Sequence, residues 1–205
     1  MVYPFLPVFA RALGVDLATM SLAMSARSAA GALGPLVAPW TDRRGRGFGL
    51  SLGLGLFAAG AFLALVGPGF PAFAAALVLM TFGKYVVDPA ILAHLSDVVP
   101  YGKRGRSLAL TELSWALAFV LGVPAAGFLL VRFGPRAPFA ALAVLGLAGL
   151  AGARAILPGV SAPAGAAGHR ESYRAVFRSP AALSGLAVIL AVSMANELVS
   201  FVLGV

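Results

Sequence analysis

Thr41-Asp42-Arg43-Arg44-Gly45-Arg46-Gly47 decides how the rest of the chain is read, because it sets four charges into six positions between two long runs that carry almost none. A segment so polar cannot lie in hydrocarbon. Asp16 to Pro39 before it and Phe48 to Val66 after it are each long enough to cross a bilayer at about 1.5 Å per residue. The stretch therefore reads as a tight hairpin between two membrane helices. Composition agrees. With 60% apolar residues, 11% charged residues and a mean hydropathy of +0.97, the chain is too apolar for a soluble domain of 205 residues. The expected class is an all-α, polytopic membrane helix bundle.

A formal charge of +8 invites a nucleic-acid reading, but the basic residues fall in short loops between apolar spans. The positive-inside rule accounts for them and leaves no nucleic-acid partner. The absence of cysteine excludes disulfides and thiolate metal sites.

Ala38-Pro39-Trp40-Thr41-Asp42-Arg43-Arg44-Gly45-Arg46 resembles the loop signature G-x-L-A-D-R-x-G-R-R, which joins the second and third helices of the major facilitator superfamily of secondary transporters. Asp42, Arg43, Gly45 and Arg46 match, while Ala38 replaces the first Gly, Trp40 the Leu and Gly47 the last basic residue. The match falls after the second predicted span, where the family has it. The resemblance implies that Asp42, Arg43, Gly45 and Arg46 form a conformational-switch loop that contacts the second half of the transporter, with Asp42 as its latch. Asp42 is expected at or just before the start of the third helix, where a carboxylate gains about 0.3–1 kcal/mol from unpaired amides and the helix dipole.

In chain order, Met1 to Ala10 is apolar but reaches only half of the roughly 20 residues a span requires, so the first helix is expected to lack its beginning. Asp16 to Ala38 is the second span, rich in small residues and interrupted by Arg27. Phe48 to Val66 is the third, and Gly67-Pro68-Gly69-Phe70-Pro71 an outer turn. Ala72 to Val99 is the fourth, carrying Lys84, Asp88, His94 and Asp97. Pro100 to Arg106 makes a second basic loop. Ser107 to Val131 is the fifth span, with Glu112 near its inner end; Phe139 to Leu157 is the sixth. These assignments make residues 1–157 a six-helix half with an incomplete first helix. Residues 158–179 are expected as a cytoplasmic linker, and 180–205 as the start of a seventh helix containing Glu197. The resemblance thus covers the whole chain as the amino-terminal half of a twelve-helix transporter plus part of the next helix, truncated at both ends.

Ten basic residues (Arg43, Arg44, Arg46, Lys103, Arg104, Arg106, Arg154, Arg170, Arg174 and Arg178) fall in loops assigned to one side, against Arg11, Arg132 and Arg136 on the other. The loops at Asp42, Arg104 and His169 are accordingly expected to face the cytoplasm in a multi-pass protein of the plasma or inner membrane.

Charges inside spans cost at least about 2.5–3.5 kcal/mol each at a helix centre unless partnered or wet, so Arg27, Lys84, Asp88, Glu112 and Glu197 are the substrate or ion pathway candidates. Two roles are open to them: binding substrate or protons in a central cavity, or locking helices together as structural ion pairs. Lys84 and Asp88, four positions apart, are able to neutralise each other, and Glu112 reads foremost as a structural contact to a cytoplasmic Arg. Counting from the inner ends puts Arg27 and Asp88 about 16 and 14 Å deep, which predicts that they meet, with Lys84 as a competitor. His94 is expected to make a local hydrogen bond, since only Asp97 offers it metal-ligand company.

The sequence lacks the enzymatic motifs H-E-x-x-H and G-x-x-x-x-G-K-[ST], and no nucleophilic Ser sits beside a usable His. The expected function is transport of a small-molecule substrate across the lipid bilayer, coupled to protons or another ion, with no cofactor. Gly122, Pro124 and Gly127 resemble a loose form of the family's Gly-Pro-rich exporter pattern and lean the reading towards efflux. A half-size membrane protein that dimerises or serves as a binding subunit is the alternative. Single-cysteine labelling in this cysteine-free background tests the orientation: Pro135→Cys is expected to react with an impermeant reagent added outside the cell and Arg104→Cys to be protected.

Overall fold

The computed structural model describes residues 3–33, 37, 41, 44–156 and 178–180, together with 183–185, 187–188, 190–192 and 194–195. The chain divides into two compact units, Phe5–Pro163 with Met1, and Ala164–Val205 with Val2–Pro4. In the second unit the described positions from 183 to 195 are helical. Glu197, His169 and most of the expected linker lie outside the described residues.

Among the described residues the first unit holds the α-helices α1 (Leu6–Leu13), α2 (Leu17–Ala32), α3 (Arg46–Val66), α4 (Gly69–Val98), α5 (Arg104–Phe133) and α6 (Ala137–Ile156). Helices α3 to α6 are each long and apolar enough to cross a membrane, and α1 with α2 forms a pair bent by 115°. Gly14 makes that bend at φ 67°, a conformation cheap only for glycine, and its N–H donates back to Ala10 and Arg11 carbonyls. The carboxylate of Asp16 then caps α2 by accepting from the Thr19 N–H at 3.0 Å.

The helices run past the predicted spans at several ends, because helical hydrogen bonding does not stop where apolar sequence stops. α3 starts two residues earlier than Phe48, so Arg46 belongs to its first turn. Gly45, at φ 97°, stands at the N-cap, and no side chain caps the helix. The N-cap of α3 thus falls at Gly45, three residues after Asp42, where glycine permits the positive φ. Asp42 and Arg43 lie outside the described residues, as does most of the stretch from 34 to 43 that was expected to complete the second span.

Packing is set by α3 and α4, joined by Gly67-Pro68. A Cβ built on Gly53 would lie 2.5 Å from Val87 Cγ2 and 2.7 Å from the Gly83 carbonyl oxygen, and one on Gly83 would lie 2.6 Å from the Gly53 oxygen. The two backbones touch. One heptad along, Gly60 meets Ala76 and Met80 in the same way, with 2.9 Å from its virtual Cβ to the Ala76 oxygen. Helix association in lipid relies on such contact, since lipid tails are as apolar as the side chains. α6 lies on another side of α3, where Gly146 fits against Phe57 and Ala58. α2 packs on α4, where the Tyr85 ring lies directly against Gly31.

The two ends of this bundle are closed differently. At one end Phe9 of α1, Phe73 of α4 and Phe139 of α6 form a three-ring cluster with centroids 5.4, 5.5 and 5.8 Å apart. At the other, basic end, Arg46 Nε donates to Asp97 Oδ2 at 3.1 Å and ties the start of α3 to the end of α4. Arg104 there donates to the carbonyls of Ser96 and Val99 at 2.7 and 3.2 Å, satisfying the last turn of α4. α5 is the exception: none of its residues is buried, and Leu110, Val120, Phe128 and Val131 are all more than 60% exposed.

Gly53→Ala is expected to destabilise the bundle by about 1–3 kcal/mol, as overpacking against an unyielding backbone does. Gly55→Ala, whose Cβ would meet nothing within 4 Å, is the matched control and is expected to keep the wild-type unfolding temperature in detergent. Equal behaviour of the two variants would show that α3 and α4 do not touch.

Candidate functional site

Polar side chains inside the spans gather on one side of α4. Ala76, Met80, Gly83, Val87 and Ala90 recur at spacings of three and four, the period of one helix face, and Met80, Gly83 and Ala90 are buried with Ala76. Thr81, Lys84 and Asp88 follow the same period one position later, which turns them about 100° away from that face. All three are half-buried.

Lys84 Nζ lies 2.5 Å from Asp88 Oδ2, an i,i+4 pair whose side chains are 40% and 35% exposed. The same ammonium lies 4.3 Å from the centroid of the Trp115 ring, reached from α5, and 5.4 Å from that of Tyr85. Lys84 thereby joins α4 to α5, which otherwise touch little. On the other flank, Arg27 of α2 donates from Nε to Thr81 Oγ1 at 3.0 Å and from a terminal nitrogen to the Met24 sulfur at 3.9 Å.

The meeting of Arg27 with Asp88 is corrected by this geometry. Arg27 stands level with Thr81, two turns along α4 from Asp88, and the ion partner of Asp88 is Lys84. The depth count failed because α4 has 30 residues, about 45 Å, and overshoots a hydrocarbon layer of about 30 Å, so its end is no marker of depth. Side-by-side packing sets the register instead, with Arg27 beside Thr81 and Gly31 beside Tyr85, four residues further on both helices.

Glu112 is exposed on α5, one turn from Trp115, and makes no ion pair among the described residues. Glu197 is outside the described residues. His94 also departs from expectation: its Nδ1 is buried and has no hydrogen-bond partner. Among the described residues no group of three or more His, Cys, Asp or Glu side chains could hold a metal ion. Reading the sequence for charges missed Trp115, Tyr85 and Thr81, because an aromatic or a hydroxyl inside an apolar span carries no signal until a charge is seen to rest on it.

A helical, polytopic membrane protein that carries charged side chains within its spans is the class these features define. Within that class, the family model described as Major Facilitator Superfamily matches residues 1–205, and the chain belongs to that superfamily. It is 29% identical over 130 residues to the MFS-type transporter YwfA of Bacillus subtilis (strain 168), covering 63% of this chain and 32% of that protein. It is 33% identical over 90 residues to the MFS-type transporter YbcL of the same organism, covering 44% of this chain and 23% of that protein. Among solved structures, the peptide transporter POT in complex with alafosfalin superposes over 92% of this chain and 39% of its own, with a TM-score of 0.63 at 20% identity. The same transporter in complex with sulfate matches 91% of this chain and 38% of its own, also at 0.63 and 20%. At that identity the likeness is one of fold. These alignments span about a quarter to two fifths of the length of the proteins matched.

A double-mutant cycle separates the two flanks of the site. Asp88→Asn and Lys84→Met are expected to couple by about 0.5–3 kcal/mol in thermal unfolding, near the low end because both side chains are partly exposed. Asp88→Asn and Arg27→Gln are expected to add to within about 0.3–0.5 kcal/mol. Strong coupling in the second cycle would restore the Arg27–Asp88 contact.

Proposed function

We propose that this chain is the amino-terminal part of a secondary transporter that moves a small solute across the membrane by alternating access. Residues 1–157 supply six helices of the first half, 158–179 a cytoplasmic linker and 180–205 the first helix of the second half. The basic turns face the cytoplasm. The observation that carries the reading is the Lys84–Asp88–Trp115 group with Arg27 on Thr81: ionised side chains held half-exposed within membrane helices, on the flank of α4 turned away from its backbone contact with α3.

Arg27, Lys84, Asp88, Glu112 and Glu197 are the pathway residues of this reading, with Asp88 as the carrier of a proton or cation. Gly122, Pro124 and Gly127 on α5 favour efflux by proton exchange. Asp42, Arg43, Gly45 and Arg46 form the switch loop, and the Arg46–Asp97 contact supports that role because it ties this loop to the end of the helix that bears the charges. The peptide-transporter neighbours share the fold alone, and no peptide substrate follows from them.

Reconstitution of the full-length protein into liposomes under an imposed pH gradient tests the reading. Solute flux is expected with wild type, with at least a tenfold loss in Asp88→Asn, the scale of a removed proton-transfer group. Asp42→Asn is expected to slow turnover while leaving insertion and substrate binding largely intact. Full flux in Asp88→Asn would remove Asp88 from the pathway, and undiminished turnover in Asp42→Asn would leave the loop without a latch.

A further inference from the structure

We propose that Asp88, Trp115 and Tyr85 form a recognition cage for a substrate bearing one cationic ammonium group, and that Lys84 is a tethered occupant that fills the cage when substrate is absent. The proposal rests on the reading of this chain as part of a transporter. A simple i,i+4 ion pair requires α4 alone. Here two helices supply the surroundings of one nitrogen and a third backs them. Asp88 Oδ2 lies 2.5 Å from it, the Trp115 ring of α5 4.3 Å and the Tyr85 ring 5.4 Å. Both ring distances fall within the roughly 6 Å at which an aromatic face attracts an ammonium. α2 supplies the backing: the Tyr85 ring lies so close to Gly31 that any Cβ there would overlap it.

One carboxylate and two aromatic faces around a single positive nitrogen match an organic cation and repel an anion. Trp115 and Tyr85 are 39% and 42% exposed beside the half-exposed Lys84 and Asp88. The other charges nearby leave the cage to Lys84. Arg27 donates to Thr81 two turns away, and Glu112, one turn from Trp115 on α5, adds negative charge on the same side. α3 carries Arg46 as its one charged residue, and that side chain pairs with Asp97 at the basic end.

Self-occupancy has a use. When the substrate leaves, the flexible Lys84 side chain returns its ammonium to Asp88, and the protein reorients without an unpaired carboxylate inside the span. When the substrate ammonium enters, it displaces Lys84 and the charge within the cage is unchanged.

Thermal unfolding of the purified full-length protein, titrated with tetramethylammonium and with acetate, tests the cage. Tetramethylammonium is expected to raise the midpoint of Lys84→Ala and Lys84→Met saturably. Half-saturation should fall about tenfold or more below that of wild type, where the tethered amine competes at an effective concentration of about millimolar. Acetate should have no effect. The response should vanish in Lys84→Ala/Asp88→Asn, and in wild type it should weaken about tenfold on Trp115→Leu, a readout that does not depend on the Lys84 variants folding. A response that survives Asp88→Asn, a wild type indifferent to the cation, or stabilisation by acetate that Lys84→Met abolishes would overturn the cage, the last by marking an anion site. Uptake of labelled tetramethylammonium into proteoliposomes tells the two readings apart. Stabilisation without uptake removes the transport reading and keeps the cage, whereas uptake of other solutes without cation stabilisation removes the cage alone.

Discussion

Everything in the described bundle hangs on the backbone contact between α3 and α4. Gly53 and Gly83 lie so close that neither could carry a Cβ without meeting the other helix's carbonyl oxygen, and Gly60 repeats the approach against Ala76. In lipid, two apolar helices gain nothing from hiding side chains from water, so closeness of approach is the source of affinity and small residues are its means. Once these helices are locked, α4 can offer its other sides to α2 and α5 without losing its place. The group at Lys84 and Asp88 therefore sits on a rigid support while one of its contributors, Trp115, comes from a helix with no buried residue.

α4 and α5 differ in how firmly they are held, since seven residues of α4 and none of α5 are buried. Lys84 connects them through a cation held over an aromatic face, an interaction that tolerates sliding better than a hydrogen bond of fixed direction. The Phe9, Phe73 and Phe139 cluster and the Arg46–Asp97 pair lie at opposite ends, so the described bundle is fastened at both while its middle carries the charges. The fastenings differ in kind. An aromatic cluster is insensitive to ionic conditions, whereas a partly exposed ion pair at the basic end is weakened by salt.

Much of the fold was legible in the linear pattern. Glycine and proline at 67–71 mark the turn between α3 and α4, and the apolar runs mark α3 to α6 to within about three residues, because only a helix satisfies its own backbone in hydrocarbon. The Asp42–Arg46 motif identified the family, which the match over residues 1–205 bears out. Helix ends were less legible. Arg46 and Arg104 are helical although polar, and Gly45, with its positive φ, rather than Asp42 stands where α3 begins.

By itself the sequence determined that this is a membrane protein of stacked apolar helices, that Arg27, Lys84 and Asp88 are charges placed within those helices, and that Lys84 and Asp88 share a face. It could do so because period and hydropathy are properties of one helix at a time. Which charge answers which was decided only in the tertiary structure. Depth counted from helix ends joined Arg27 to Asp88, but register between neighbours depends on where small residues such as Gly31 and Gly53 let backbones or rings press together. That register set Arg27 beside Thr81, left Asp88 to Lys84 and brought Trp115 over the ammonium, since close packing across helices is a property of pairs of helices and is not written in either one alone.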